Sequence, residues 1–138
     1  KAMREAGIDA ADDLTIELDA MRSNLAFKAV KQRLESTGRD FTAILCCNDD
    51  CAFGAIAALA EAGLSVPGDV SVVGFDDIPT AALNSVPLTT IRVEAEDIGA
   101  RSVNRLVERI KGQDKLATYT ETAVSLVVRN STGPVRVD

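Results

Sequence analysis

Strand-like and helix-like stretches alternate along the chain, and that alternation predicts an α/β fold: a parallel sheet between helices, three layers in all. Three observations carry the expectation. Two nearly continuous apolar runs, "FTAILCC" (41–47) and "VSVVGF" (70–75), read as strands covered on both faces. The Ala-rich stretch between them has a helical composition and ends at Gly63. Later, "EAEDIGARSVNRLVERIKG" (94–112) places Ile98, Val103, Leu106, Val107 and Ile110 on one side of an amphipathic helix.

The elements follow in order. "DLTIEL" (13–18) suits a short strand. "MRSNLAFKAVKQRLES" (21–36) sets Leu25, Val30 and Leu34, with Ala26 and Ala29, on a helical stripe, and Gly38 is its stop. After strand 41–47, "DDCAFGAIAALAEAG" (49–63) is helical, and Pro67-Gly68 marks a turn. Strand 70–75 leads into a loop, "DDIPTAALNSVP" (76–87), with room for one helical turn. "LTTIRV" (88–93) is extended. The 94–112 helix carries acids in its first turn and Arg109 and Lys111 in its last, as the helix dipole favours. "TAVSLVVR" (122–129) is a last strand and "NSTGPVRVD" a tail.

The 138 residues suit one compact domain, and 46% hydrophobic content supports a core. No run reaches the length of a membrane span. Lys1 opens directly into "KAMREAGI", the back half of a helix, so the expectation is a piece of a longer chain with no signal peptide of its own. A net charge of -6 without a basic stripe argues against a nucleic-acid surface in these residues. The absence of histidine removes Ser-His-Asp and Cys-His catalysis and every His-ligated metal site.

In an open parallel sheet, ligands bind beyond the carboxyl ends of the strands. Two such ends are polar here: Asn48-Asp49-Asp50 after the first apolar run, Asp76-Asp77 after the second. An amide offers donor and acceptor, a carboxylate acceptors, and together they can grip neighbouring hydroxyls of a small ligand. The competing reading is capping of the 49–63 helix and ordering of the 76–87 loop. That reading is the expectation for Asp49, Asp50 and Asp77, while Asn48 and Asp76 stay open between the two. Cys46 and Cys47 are consecutive in a strand and point to opposite faces, so packing is the expectation for these and for Cys51. Their odd number favours a reducing compartment. Gly54, inside a helix, suggests close helix–sheet packing, and Gly74 a close backbone approach at a strand end.

"AILCCNDDCAFGAIAALAEAGLSVPGDVSVVGFDDIPTAALNSVPLTTIRV", with "LVVRNSTGP" near the end, resembles the effector-binding core of the lac/gal repressor family of bacterial transcription regulators. Its N-D-x-x-A-x-G pattern falls on Asn48, Asp49, Ala52 and Gly54. The resemblance implies one lobe of a periplasmic-binding-protein-like (type I) fold, with ligand held between two lobes. Residues 1–93 would be the C-terminal lobe, 94–120 a crossover and helix of the N-terminal lobe, and 121–138 the returning strand and tail. It implies a sugar-like or purine-like effector contacted by Asn48 and Asp76, with Met21 where the family often has an aromatic ring. Val93 falls where sugar binders often have a polar side chain. Family dimers make Phe53, Ala57 and Asn84 interface candidates in a homodimer. It further implies a cytoplasmic regulator that is no enzyme, with no cofactor, metal or membrane partner. Operator DNA would be reached only through an N-terminal domain outside this chain. Two alternatives are an uptake-type sugar-binding protein and, further off, a Mg-dependent phosphotransfer enzyme using Asp49, Asp50, Asp76 and Asp77.

Overall fold

The computed structural model describes residues 2–7, 14–113 and 119–134. Helices α1 (Ala2–Glu5) and α2 (Ser23–Thr37) precede strand β1 (Ala43–Leu45) and helix α3 (Asp49–Glu61). Strand β2 (Ser71–Asp76), a 3-10 turn (Pro79–Ala82), strand β3 (Thr89–Val93), helix α4 (Ala95–Ile110) and strand β4 (Val124–Val127) follow. The sheet order is β1-β2-β3-β4. β1, β2 and β3 run parallel, in a register that sets Leu45 beside Val73 and Val73 beside Thr89.

The α/β expectation holds, with three corrections in detail. β4 pairs antiparallel with β3, so the sheet is parallel-dominated rather than wholly parallel. A helix separates the two strands without packing closely on either, and the chain returns along β3 as in a long hairpin. The expected strand at 13–18 is absent over 14–18, and Asp13 lies outside the described residues. Leu14, Ile16 and Leu18 alternate as a strand face would, but a strand also needs a neighbouring backbone, and no described strand pairs with them. β1 is shorter than the 41–47 run and is covered on one side only: Leu45 is 78% exposed. Apolar continuity reports that a residue tolerates burial, not that a packed layer covers it.

The core lies between α3, α2 and the sheet. Ala52, Ala55, Ile56 and Leu59 on α3 pack with Val30 of α2, and with Val70, Val72 and Leu88 from the sheet side. Gly54 serves the helix pair rather than the sheet. A Cβ there would overlap the Ser23 carbonyl oxygen at the start of α2, so α2 and α3 meet backbone to backbone. Gly38 ends α2 with φ 69°, its N–H donating to the Leu34 carbonyl at 3.0 Å. The tail is part of the core. The Ser131 hydroxyl, fully buried, donates to the Val72 carbonyl at 2.6 Å and accepts from the Thr89 N–H at 2.8 Å. One side chain thereby joins β2 to β3 where the sheet begins.

Candidate functional site

Because β1 and β2 are parallel and in register, their carboxyl ends open on the same rim. Asn48 stands three residues past Leu45 and Asp76 three past Val73, at matching heights. Asn48 is the N-cap of α3, its Oδ1 accepting from the Cys51 N–H at 2.8 Å. That leaves its Nδ2 as a donor with no partner among the described residues. Asp76 ends β2 with φ 110°, a backbone conformation costly for any residue but glycine. Its side chain takes no hydrogen bond among the described residues. Partial burial, then the nearby Asp49 carboxylate, raises the Asp76 pKa above the ordinary aspartate value. The rim therefore presents an amide donor beside a carboxylate acceptor.

The acids expected to be structural make structural bonds, but Asp49 and Asp50 do not cap α3 as expected; Asn48 takes that place, and the acids tie its surroundings together instead. Asp49 is fully buried. Its Oδ1 accepts from the Thr90 hydroxyl at 2.5 Å and its Oδ2 from the Ile78 N–H at 2.9 Å. One carboxylate thus ties the start of α3 to β3 and to the loop after β2. Gly74 makes room for it, since a Cβ there would overlap Asp49 Oδ1. Asp50 Oδ2 accepts from the Ser23 N–H at 3.0 Å, serving as a cap for α2 from the neighbouring helix. That contact brings Met21, 64% exposed and just before α2, to the same end of the molecule.

Asp77, in the left-handed region with φ 55°, accepts from Arg129 on Oδ1 and from Arg92 on Oδ2, each at 2.6 Å. Burial works to raise its pKa, but the hydrogen bonds and charges of Arg129 and Arg92 outweigh it and hold the carboxyl below the usual range. Arg129 also donates to the Leu88 carbonyl at 2.7 Å. Thr90, Arg92 and Arg129 were not anticipated as supports of the rim. A polar residue at the end of β3 and an arginine just past the last apolar run were the only signals.

The remaining candidates lie on α3, in the loop before β3 and at the end of β3. Phe53 is half-buried against the core, Ala57 is exposed on α3, and Asn84 is half-buried in the loop after the 3-10 turn. Val93, at the end of β3, is half-buried. Cys46 packs on the core, and its thiol is pushed up to about 12 by burial. Among the described residues no group of three or more Cys, Asp or Glu side chains could hold a metal ion. Asp49 and Asp77 are already occupied by hydroxyl, amide and guanidinium donors, which argues against a Mg-binding cluster. No described helix is long and apolar enough to cross a membrane.

Comparison with known proteins is consistent with this geometry. Residues 1–132 match the family described as a periplasmic binding protein-like domain. The HTH-type transcriptional repressor PurR of Pasteurella multocida is 37% identical over 131 residues, spanning 95% of this chain and 39% of the repressor. A LacI-type transcription regulator from Bifidobacterium animalis subsp. lactis superposes with a TM-score of 0.88 at 35% identity, over 96% of this chain and 47% of that one. A LacI family regulator from Enterococcus faecium, solved with bound ribose, gives 0.81 at 29% identity, over 98% of this chain and 49% of that one. The chain thus spans less than half the length of each of these proteins. All three are named as regulators, which does not favour the uptake-protein alternative.

Proposed function

The chain belongs to the periplasmic binding protein-like family, in its lac/gal repressor branch, and from that premise we propose that it is the effector-sensing part of a transcription repressor. Residues 1–93 form the lobe that carries one wall of the effector cleft. Residues 94–120 belong to the opposite lobe, and 121–138 return to the first. Asn48 donates to the effector, Asp76 accepts from it, and Met21 packs on its apolar face. The effector is a small sugar-like or purine-like molecule, a class favoured by the ribose held by the Enterococcus regulator and by the paired donor and acceptor on the rim. The observation that carries the reading is the common rim: Asn48 and Asp76 stand at matching heights beyond paired strands, each with polar atoms unengaged among the described residues.

The site also supplies a mechanism. Asp49 and Asp77 fix the rim through buried and partly buried hydrogen bonds, so Asn48 and Asp76 are positioned before ligand arrives. The effector binds one arrangement of the two lobes better than the other and shifts the equilibrium toward it. In a homodimer built on Phe53, Ala57 and the Asn84 loop, that shift changes the spacing of DNA-binding heads on operator DNA. Nothing in this scheme needs an enzyme activity, a cofactor or a membrane, and it belongs in the cytoplasm.

A thermal-shift screen of pentoses, hexoses, disaccharides and purines on the full-length protein, followed by calorimetry, tests it. At least one ligand should bind, and N48A and D76A should each weaken it by roughly tenfold or more while leaving the far-UV spectrum intact. A ligand bound equally well by both variants would place the effector elsewhere. The 138-residue chain alone, with one wall of the cleft, should bind the same ligand weakly or not at all.

A further inference from the structure

The three cysteines are not equivalent. Cys46 is held against the core, Cys47 is exposed in the link between β1 and α3, and Cys51 is buried in the first turn of α3. Cys47 Sγ and Cys51 Sγ stand 3.6 Å apart. A disulfide needs roughly 2.05 Å between sulfurs, so the two atoms must approach by only about 1.5 Å, within reach of side-chain rotation. The last sheet hydrogen bond of this segment is from the Cys46 N–H to the Val73 carbonyl, at 2.8 Å. Cys47 therefore lies beyond the ladder, where its backbone can adjust. Cys46, adjacent in an extended segment, points the other way.

We propose that Cys47 and Cys51 form a redox-modifiable dithiol, closing into a reversible intrachain disulfide that brackets Asn48 at the rim. The oxidant is a small-molecule disulfide of the glutathione class. The exposed Cys47 thiolate attacks one sulfur of the oxidant, forming a mixed disulfide and releasing one thiolate. Cys51 then gives its proton to solvent and attacks the Cys47 sulfur, forming the intrachain bond and releasing the second thiolate. Two protein thiols are oxidised, one small disulfide is reduced to two thiols, and a reducing thiol reverses both steps. Cys47 is the point of entry because it is accessible. Burial, then the hydrogen bond with Cys47, pushes the Cys51 thiol up to about 12, so Cys47 rather than Cys51 meets the oxidant first.

The bond would lock the turn whose Cys51 N–H donates to the Asn48 side chain. Its effect on effector affinity rests on the function proposed above. The bond itself does not, so the test reads the bond.

The 138-residue chain, reduced and freed of reductant, is incubated with excess oxidised glutathione, alkylated, and analysed by intact mass and peptide mapping. The expected product retains one alkylatable thiol, Cys46, carries no glutathione, links Cys47 to Cys51, and reverts fully with dithiothreitol. C51S should stop at a persistent glutathione adduct on Cys47. C47S should react at least about tenfold more slowly, having lost the exposed thiol. A persistent adduct in the wild-type chain, a link through Cys46, a link between chains, or three thiols still alkylatable after prolonged oxidation would each overturn the proposal. The wild-type result decides the matter even if a variant folds poorly. Loss of effector binding in N48A without loss of the disulfide would separate this site from the effector reading.

Discussion

Helices α3 and α4 have similar lengths and opposite fates. α3 buries Cys51, Ala52, Gly54, Ala55, Ile56, Ala58 and Leu59, and its first turn is tied to β3, to the loop after β2 and to α2. α4 buries nothing, although its apolar stripe is the cleaner of the two; Leu106 is 58% and Ile110 76% exposed. The contrast separates two properties that sequence patterns run together. An apolar stripe says that a helix has a face made for a partner. It does not say that the partner lies within the same stretch of chain. α3 finds its partners in α2 and β2, whereas α4 makes none of the stronger element contacts in this chain.

Substitution can sharpen or break that comparison, starting with the largest effect. Leu59→Ala should cost about 3 kcal/mol, since Leu59 is fully buried at the centre of the core. Urea unfolding of the 138-residue chain measures it, and a cost below about 1 kcal/mol would mean that α3 is not the centre of packing. Next, Asp49→Ala should cost about 2 kcal/mol, because it leaves the Thr90 hydroxyl and the Ile78 N–H without their acceptor. Asp49→Asn should recover part of this, since the amide still offers one acceptor.

The adjacent acids Asp76 and Asp77 should respond to pH in opposite senses. Asp77 is held below its unfolded value of about 3.9. Its contribution is present above that value and is lost as pH falls through the folded pKa. Asp76 is raised, so its charging in the folded state disfavours folding, and stability declines as pH climbs from the unfolded value through the folded one. Asp77→Asn should flatten the acid limb of the stability curve. Asp76→Asn should be neutral or stabilising at pH 7 while weakening effector binding. If both variants shift the curve the same way, the split between supporting and ligand-facing acids fails.

The smallest effect belongs to α4. Leu106→Ala in this chain should change stability by no more than about 0.5 kcal/mol, as for other exposed positions. A loss comparable to that of Leu59→Ala would show that α4 is packed in solution against something, for instance a second copy of the chain.

Much of the fold was legible because its cues are local. The α2 stripe, its stop at Gly38, the α3 boundaries near Asp49 and Gly63, the turn at Pro67-Gly68 and the helical turn after Asp77 all follow from residue type and spacing. The rim was legible too, as polar clusters directly after two apolar runs. What was misread depends on neighbours distant in the chain. Residues 14–18 have a strand's alternation but no described strand beside them. Leu45 belongs to an apolar run yet sits on an open face. Ser131 looked like tail and is a buried staple, because its role exists only where β2 and β3 already lie side by side.

The sequence by itself determined the helices and where they stop, most of the extended segments, and that Asn48 and Asp76 come directly after apolar runs, because these depend on periodicity, capping and turn chemistry within a few residues. The tertiary structure decided the rest: that β4 runs antiparallel, that Asp49 and Asp77 find donors tens of residues away, and that one apolar helix is buried while another is left open. Those outcomes depend on which surfaces meet, and contacts across the sheet leave no periodic mark on the residues that make them.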